Sequence, residues 1–400
     1  MKKITYLLFI LLIGASSIDA SVNPQYYAVI DAGSTGSRMH LYKYQSNNNK
    51  IKIEELKFKK NKIKPGISNI AGAPDKVGKY IQPLIDSINS FLSSQGIKEK
   101  DIRFYLLATA GMRIESPVLQ EKVYTQLEEY IKKNTKFTVG EIATIPGKDE
   151  GAFDWIAYNY LAGKLFTDQT MGVLDMGGAS VEIAFSTDKP IFNPQDKVTF
   201  KIGSKKFTIY SHSYLGLGQE LAISQYTNEP SCFPKGYPLP DEDIGSGEFN
   251  TSLLKIEKLV NVVHNVNKPS TKIPDADKFV GISGFYYTPN SKPFSLGQSI
   301  SVKTLKDKGL KFGQQSWTGS VEKYGNDPYL YMYCFSSAFM SVLLEKGFGF
   351  NENTKFNVIN KVKGTDVSWT LGAAIYYAEK NANAVKKDKQ AESIQKQKAA

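Results

Sequence analysis

Cysteine and histidine are scarce in this chain: two cysteines, Cys232 and Cys334, and three histidines, His40, His212 and His264, among 400 residues. No pair of them stands at metal-ligand spacing. That argues against a zinc centre and leaves any catalysis to carboxylates, arginines and oxygen ligands. A Gly-x-x-x-x-Gly-Lys-Ser/Thr loop is missing, and so is a Gly-x-Gly-x-x-Gly turn. Two common phosphate-binding fingerprints are thereby excluded. Past the N-terminal segment no apolar run is long enough to span a bilayer. A strong excess of one charge is missing too, once the ends are set aside. The formal net charge is +11, but Lys2, Lys3 and Asp19 at one end and the lysine-rich segment 380–400 at the other leave a core near +6. No nucleic-acid partner is expected from that balance. The densest basic stretch, residues 57–64, reads as a solvated strand and loop that draws anions towards a cleft.

What is present begins with an export signal. Met1-Lys2-Lys3, an apolar run over residues 4–13 and small residues up to Ala20 form a secretory leader. The mature protein is expected to be secreted or periplasmic, with no membrane attachment after cleavage. Export favours a disulfide between Cys232 and Cys334, although spacing alone does not show that their Cβ atoms meet.

Two glycine-rich turns carry the main signal. Asp31-Ala32-Gly33-Ser34-Thr35-Gly36-Ser37-Arg38 follows the apolar run Tyr27-Ala28-Val29-Ile30. Asp175-Met176-Gly177-Gly178-Ala179-Ser180 follows Met171-Gly172-Val173-Leu174. Each is a strand, an aspartate, a glycine turn with a hydroxyl, and a second strand. Such a repeat predicts two similar domains facing one site. Glycines let backbone N–H groups curl round an anion. An aspartate at the end of each strand holds a hydrated divalent cation from either side. Ser34, Thr35, Arg38 and Ser180 add hydroxyls and a charge for phosphate oxygens.

Between and after the turns, strands and helices alternate, which predicts an α/β chain with crossovers on mixed sheets. Helical spacing covers 77–92 and 117–132, the latter with Ser116 as N-cap. Strands are expected over 51–58, 102–108, 137–145, 199–210 and 278–282. Further helices are expected over 253–265 and 329–346, and a last one after Trp369.

Three more segments hold candidates. Thr109-Ala110-Gly111-Met112-Arg113 ends a strand, with room beside the backbone for a ligand; Arg113 reads either as a contact to it or as a surface arginine that begins a helix. Glu150 opens the helix Gly151-Ala152-Phe153-Asp154-Trp155-Ile156-Ala157-Tyr158-Asn159-Tyr160-Leu161. A carboxylate there deprotonates a water for in-line attack on phosphorus, or else is an acid favoured by the helix dipole. Asn159 and Trp155 leave the apolar stripe of that helix. Glu182 shares a strand face with Ser180 and reads as a metal contact or a solvated acid.

Taken in order and spacing, these motifs resemble the apyrase family, the nucleoside triphosphate diphosphohydrolases, especially their secreted bacterial members. The resemblance rests on Asp31 to Arg38, on Ala108 to Arg113, on Glu150 to Leu161 and on Asp175 to Ser180. Tyr333-Cys334-Phe335-Ser336, Gly347-Phe348-Gly349-Phe350 and Trp369-Thr370-Leu371-Gly372 extend it. It implies an actin-like fold of two ribonuclease-H-like lobes. Their bounds here would be 21–150 and 151–368, with a C-terminal helix over 369–385 returning to the first lobe and a flexible charged tail over 386–400. It also implies hydrolysis of nucleoside tri- and diphosphates with Mg²⁺ or Ca²⁺, in a monomer. Carried over, Glu150 activates the water and Asn159 supports it. Asp31, Asp175 and Glu182 hold the metal through waters. Ser34, Thr35, Gly36, Arg38, Thr109, Arg113, Gly177, Gly178, Ala179 and Ser180 bind phosphates, and Tyr287 stacks on the base. The family commonly carries Gln where this chain has Glu182. Exopolyphosphatases and guanosine pentaphosphate phosphatases, which share the fold and often carry Glu there, are the alternative enzyme reading. A non-hydrolytic actin-like nucleotide-binding module is the alternative from another class.

Overall fold

The computed structural model describes residues 23–47, 50–325 and 327–399, so the expected leader lies outside the described residues. In the first half, β1 (Gln25–Ala32), β2 (Ser37–Asn47) and β3 (Lys50–Glu55) form an antiparallel meander, with short β4 (Lys62–Ile63) on β2. Helix α1 (Val77–Gln95) leads to β5 (Ile102–Ala108), which lies parallel to β1. The single turn α2 (Ala110–Arg113) and helix α3 (Pro117–Asn134) lead to β6 (Thr138–Thr144), parallel to β5. Ser116 caps α3 as expected, its hydroxyl accepting from the Leu119 N–H.

Helix α4 (Gly147–Leu161) then opens the second half. There β7 (Gly172–Met176) and β8 (Ser180–Ser186) are antiparallel, and β10 (Lys205–Leu215) pairs β8 after forming a hairpin with β9 (Lys197–Ile202). The strands expected around 199–210 are this hairpin, in which Gly203 takes φ 59° and reverses the chain. Helices α5 (Gln219–Ser224) and α6 (Phe249–Glu257) precede β11 (Phe279–Ser283), which is parallel to β7. After α7 (Gly284–Tyr287) come β12 (Ser299–Ile300), α8 (Val302–Gly313), α9 (Trp317–Tyr324), α10 (Tyr333–Val342) and β13 (Phe356–Val358), parallel to β11. A small hairpin, β14 (Lys361–Val362) with β15 (Thr365–Asp366), precedes the last helix, α11 (Trp369–Ala399).

The two halves repeat one topology. The first sheet runs β3-β2-β1-β5-β6. The second runs β12-β13-β11-β7-β8-β10-β9, so β10-β8-β7-β11-β13 copies the first in order and strand direction. The duplicated turn motif of the sequence is therefore a duplicated lobe. In a parallel pair every strand needs a crossover helix, which puts α1 and α3 on one face of the first sheet.

Three apolar cores follow. One lies under α1 and α3, and a second fills the far side of the second sheet around α10. The third is shared. It joins Tyr27, Tyr42 and Tyr44 of the first sheet to Val173, Ala184 and Ile209 of the second through Phe153 and Ile156 of α4 and Ala374 and Ile375 of α11. Helix α11, expected to return to the first lobe, packs on α4 and touches both sheets. Glu379 shows why, since its carboxylate accepts from Tyr44 Oη of the first sheet and, at 2.8 Å, from the Gly203 N–H of the second. The helix continues to Ala399 through the segment expected as a tail.

Cys232 and Cys334 are free thiols, not the disulfide that export favours. Both are buried in the apolar core of the second lobe. Burial pushes their thiols up, to about 11 and about 12, so neither is a ready nucleophile.

Candidate active site

The first and second turns are the same local structure. The Gly33 N–H donates to Gly36 O at 3.0 Å, and the Gly177 N–H donates to Ser180 O at 3.0 Å. In each hairpin the leading aspartate sits opposite a charged residue, Asp31 by Arg38 and Asp175 by Glu182. The turns meet across one cleft of about 620 Å³, lined from both lobes. They approach so closely that a Cβ on Gly178 would stand 2.9 Å from Ser34 Oγ. A side chain there would force the Ser34 hydroxyl to turn away.

Asp31, Ser34, Thr35, Gly36, Arg38 and Thr109 line the cleft from the first lobe, and Asp175 and Gly177 to Ser180 from the second. Glu150 enters between them from the first turn of α4. Tyr287, at the end of α7, stands 62% exposed at the mouth. Strand ends and one helix start thus deliver most of the expected residues to one place.

Three do not reach it. Arg113, expected on a phosphate, lies behind Glu150. Its Nη2 donates to Glu150 Oε2 at 2.5 Å, its Nε donates to Ile145 O at 3.0 Å, and Nη1 stands 3.8 Å from Glu182 Oε1. A guanidinium between two buried carboxylates is held by both. Glu182, expected at a metal, does share a face with Ser180, as strand alternation requires. However, β10 pairs there and sets Ser213 opposite, so Glu182 Oε1 accepts from Ser180 Oγ and Ser213 Oγ, each at 2.6 Å, away from the cleft. Asn159, expected beside the water, is fully buried near the far end of α4. Its amide donates to Trp155 O and Met171 O at 2.9 Å and accepts from the Met171 N–H at 2.8 Å. It ties the helix to the start of β7. Trp155 is also buried, edge-on to Phe200 and Phe207. Asn159→Ala is therefore expected to lower stability by about 1–3 kcal/mol while kcat of the folded protein stays within a few-fold. Chemical denaturation beside steady-state rates checks it; a lost kcat at full stability would return Asn159 to the chemistry.

Two residues went unread at the level of sequence. Asp154 is one turn beyond Glu150, lines the cleft and is 1% exposed. Its position amid aromatic residues hides it among core positions. Ser283, also lining the cleft, takes φ 53° at the end of β11. That backbone conformation is strained for a residue with a side chain. Its hydroxyl pulls the Asp175 carboxyl back against the upward push of burial.

Charge dominates the floor. Burial and the Glu150 carboxylate, against the pull of Arg38, hold Asp31 up at about 7. Glu150 is raised by burial, with Arg113 pulling it back. Asp175 is raised by burial. Asp154 is pushed well above the usual carboxylate range by burial and then by Asp175, Glu150 and Glu182. Such a cluster calls for a cation. Among the described residues no three His, Cys, Asp or Glu side chains converge to hold a bare ion, so a cation here would keep waters.

Comparison with known proteins decides the family. Residues 17–235 and 249–396 match the model of the GDA1/CD39 (nucleoside phosphatase) family. This chain belongs to that family. Among its curated relatives are the nucleoside-triphosphatase ntp-1 of Caenorhabditis elegans, 26% identical over 91% of this chain and 75% of that one. Ectonucleoside triphosphate diphosphohydrolase 1 of Bos taurus is 27% identical over 88% and 80%, and probable apyrase 3 of Arabidopsis thaliana 28% over 88% and 82%. A nucleoside triphosphate hydrolase from Neospora caninum superposes with TM-score 0.66 at 15% identity, covering 89% of this chain and 92% of that one. A Ppx/GppA family member from Aquifex aeolicus superposes with TM-score 0.52 at 16% identity, covering 90% and 99%. The fold is thus the actin-like one expected from the resemblance. The GDA1/CD39 assignment also agrees with its apyrase side, since relatives named apyrase match along most of the chain.

Proposed function

We propose that this chain is an exported apyrase that hydrolyses nucleoside tri- and diphosphates to monophosphates, with water activated by Glu150 and a divalent metal, Mg²⁺ or Ca²⁺. One observation carries the reading: both aspartate-headed turns face a single cleft, and a buried carboxylate from α4 stands between them. Membership of a nucleoside phosphatase family supports it. No helix among the described residues is long and apolar enough to cross a membrane. The leader-like segment supports export, and since every site residue comes from one chain a monomer suffices.

In this mechanism the two turns cradle the polyphosphate with backbone N–H groups and the hydroxyls of Ser34, Thr35 and Ser180. Arg38 balances charge from the first lobe. Glu150 holds the attacking water and takes its proton on a carboxylate oxygen, helped by a proton affinity that burial raises. Arg113 fixes the orientation of that carboxylate. Asp31 and Asp175, facing the cleft from the two strands, fit a hydrated cation. When bound, the cation supplies charge neutralisation at the phosphates. Tyr287 offers an exposed ring to the base.

Phosphate release from ATP, ADP, AMP and long-chain polyphosphate, with and without chelator, tests the proposal. ATP and ADP should be cleaved in steady turnover, AMP spared, and chelator should stop the reaction. Preference for polyphosphate would favour the exopolyphosphatase reading, and a single slow turnover the binding module. The pH dependence has a definite sign. A cation needs the Asp31 carboxylate ionised; with that group near 7, the half-saturating Mg²⁺ concentration should rise as pH falls from 8 to 6. An unchanged requirement would remove Asp31 from the cation.

A further inference from the structure

Asp154 has no role in the scheme inherited from the motifs, yet its surroundings demand one. No N–H or hydroxyl donor reaches either buried carboxylate oxygen of Asp154 or Oδ1 of Asp175; the two carboxyls lie within hydrogen-bond reach of each other and can share a proton. It projects from α4 one turn beyond Glu150, on the face that packs against β7 and β8, and it lines the cleft. The charged groups around it are carboxylates: Asp175 from β7, Glu150 from its own helix and Glu182 from β8. The nearby guanidinium of Arg113 is taken by Glu150 and Glu182. Buried carboxylates are retained when paired or when they face a cation.

We propose that Asp154 is a further carboxylate of the divalent-cation site, facing the hydrated ion from α4 while Asp31 and Asp175 face it from the two strands. The assignment rests on the metal-dependent reading of the cleft. Asp154 acts on the ion's waters and is a positioning residue. A third carboxylate raises the affinity of the protein for the ion, and the ion takes the place of the proton that Asp154 and Asp175 share in its absence. Outer-shell partners of this kind change metal affinity by about 10–100-fold.

The test is Mn²⁺ binding, followed by electron paramagnetic resonance, to the whole protein saturated with a non-hydrolysable ATP analogue. Asp154→Asn should weaken Mn²⁺ binding at least about tenfold, while its melting temperature in chelator stays equal to or above that of the parent. Mn²⁺ affinity within twofold of the parent, or a lower melting temperature in chelator with affinity intact, would overturn the assignment and make Asp154 a structural partner of Asp175. Asp154→Ser carries the same comparison if the asparagine variant does not fold. Asp175→Asn and the parent separate the two levels of the argument. A parent that takes up no Mn²⁺ overturns the metal reading of the cleft itself, and this assignment with it. A parent and an Asp175→Asn variant that differ, beside an Asp154→Asn variant that matches the parent, overturn the assignment alone.

Discussion

Glu150→Gln is expected to lower kcat by about 10²–10⁴-fold, the usual contribution of a positioned general base. The substitution keeps the shape of the side chain, and an amide oxygen still accepts the hydrogen bond that Arg113 Nη2 donates. Folding and nucleotide affinity should therefore change little. What is lost is the place for a proton: a neutral amide does not take one from water. The turns, the cation site and Tyr287 are untouched, so a non-hydrolysable analogue should bind the variant within a few-fold of the parent. Phosphate release and analogue binding measured together decide the matter. A kcat within a few-fold of the parent would place the proton elsewhere, and a joint loss of binding and turnover would make Glu150 a structural ion-pair partner of Arg113.

Gly372→Ala is expected to be strongly destabilising. A Cβ at Gly372 would stand 1.9 Å from Phe153 O and 2.6 Å from Phe153 C, both main-chain atoms of the helix that carries Glu150 and Asp154. A flexible side chain does not move aside there, so α11 and α4 must separate. Overpacking costs typically 1–3 kcal/mol, and this contact belongs at the upper end, about 3 kcal/mol. Denaturant midpoints read that loss. Activity should fall further than stability predicts, because a small displacement of α4 moves both of its carboxylates relative to the turns. A variant with unchanged midpoint and unchanged kcat would show that the helix pair tolerates separation.

Much of the scaffold was legible because local rules and tertiary packing agree. Strand β5 runs Ile102–Ala108 as its apolar run predicts, and α1 starts at Val77 and buries Ile81, Leu84, Ile85 and Ile88. The Asp-headed turns were legible because glycine spacing reports close approach. Legibility failed where a neighbour distant in sequence decides. Alternation puts Glu182 beside Ser180, but only the pairing of β8 with β10 reveals Ser213 covering it. Periodicity leaves Asn159 and Asp154 looking alike, as polar residues on an amphipathic helix. Packing assigns one to a buried clamp and the other to the floor of the cleft.

By itself, the sequence determined that two equivalent glycine-rich turns exist, that each begins with an aspartate, and that the chain alternates strands and helices around them. These features follow from the chemistry of neighbouring residues, which a linear pattern records. Only the tertiary structure decided that the turns share one cleft, that Arg113 attends Glu150 rather than lining it, and that Asp154 faces the same space. Those are contacts between strands and helices far apart in the chain, set by burial of a core common to both lobes.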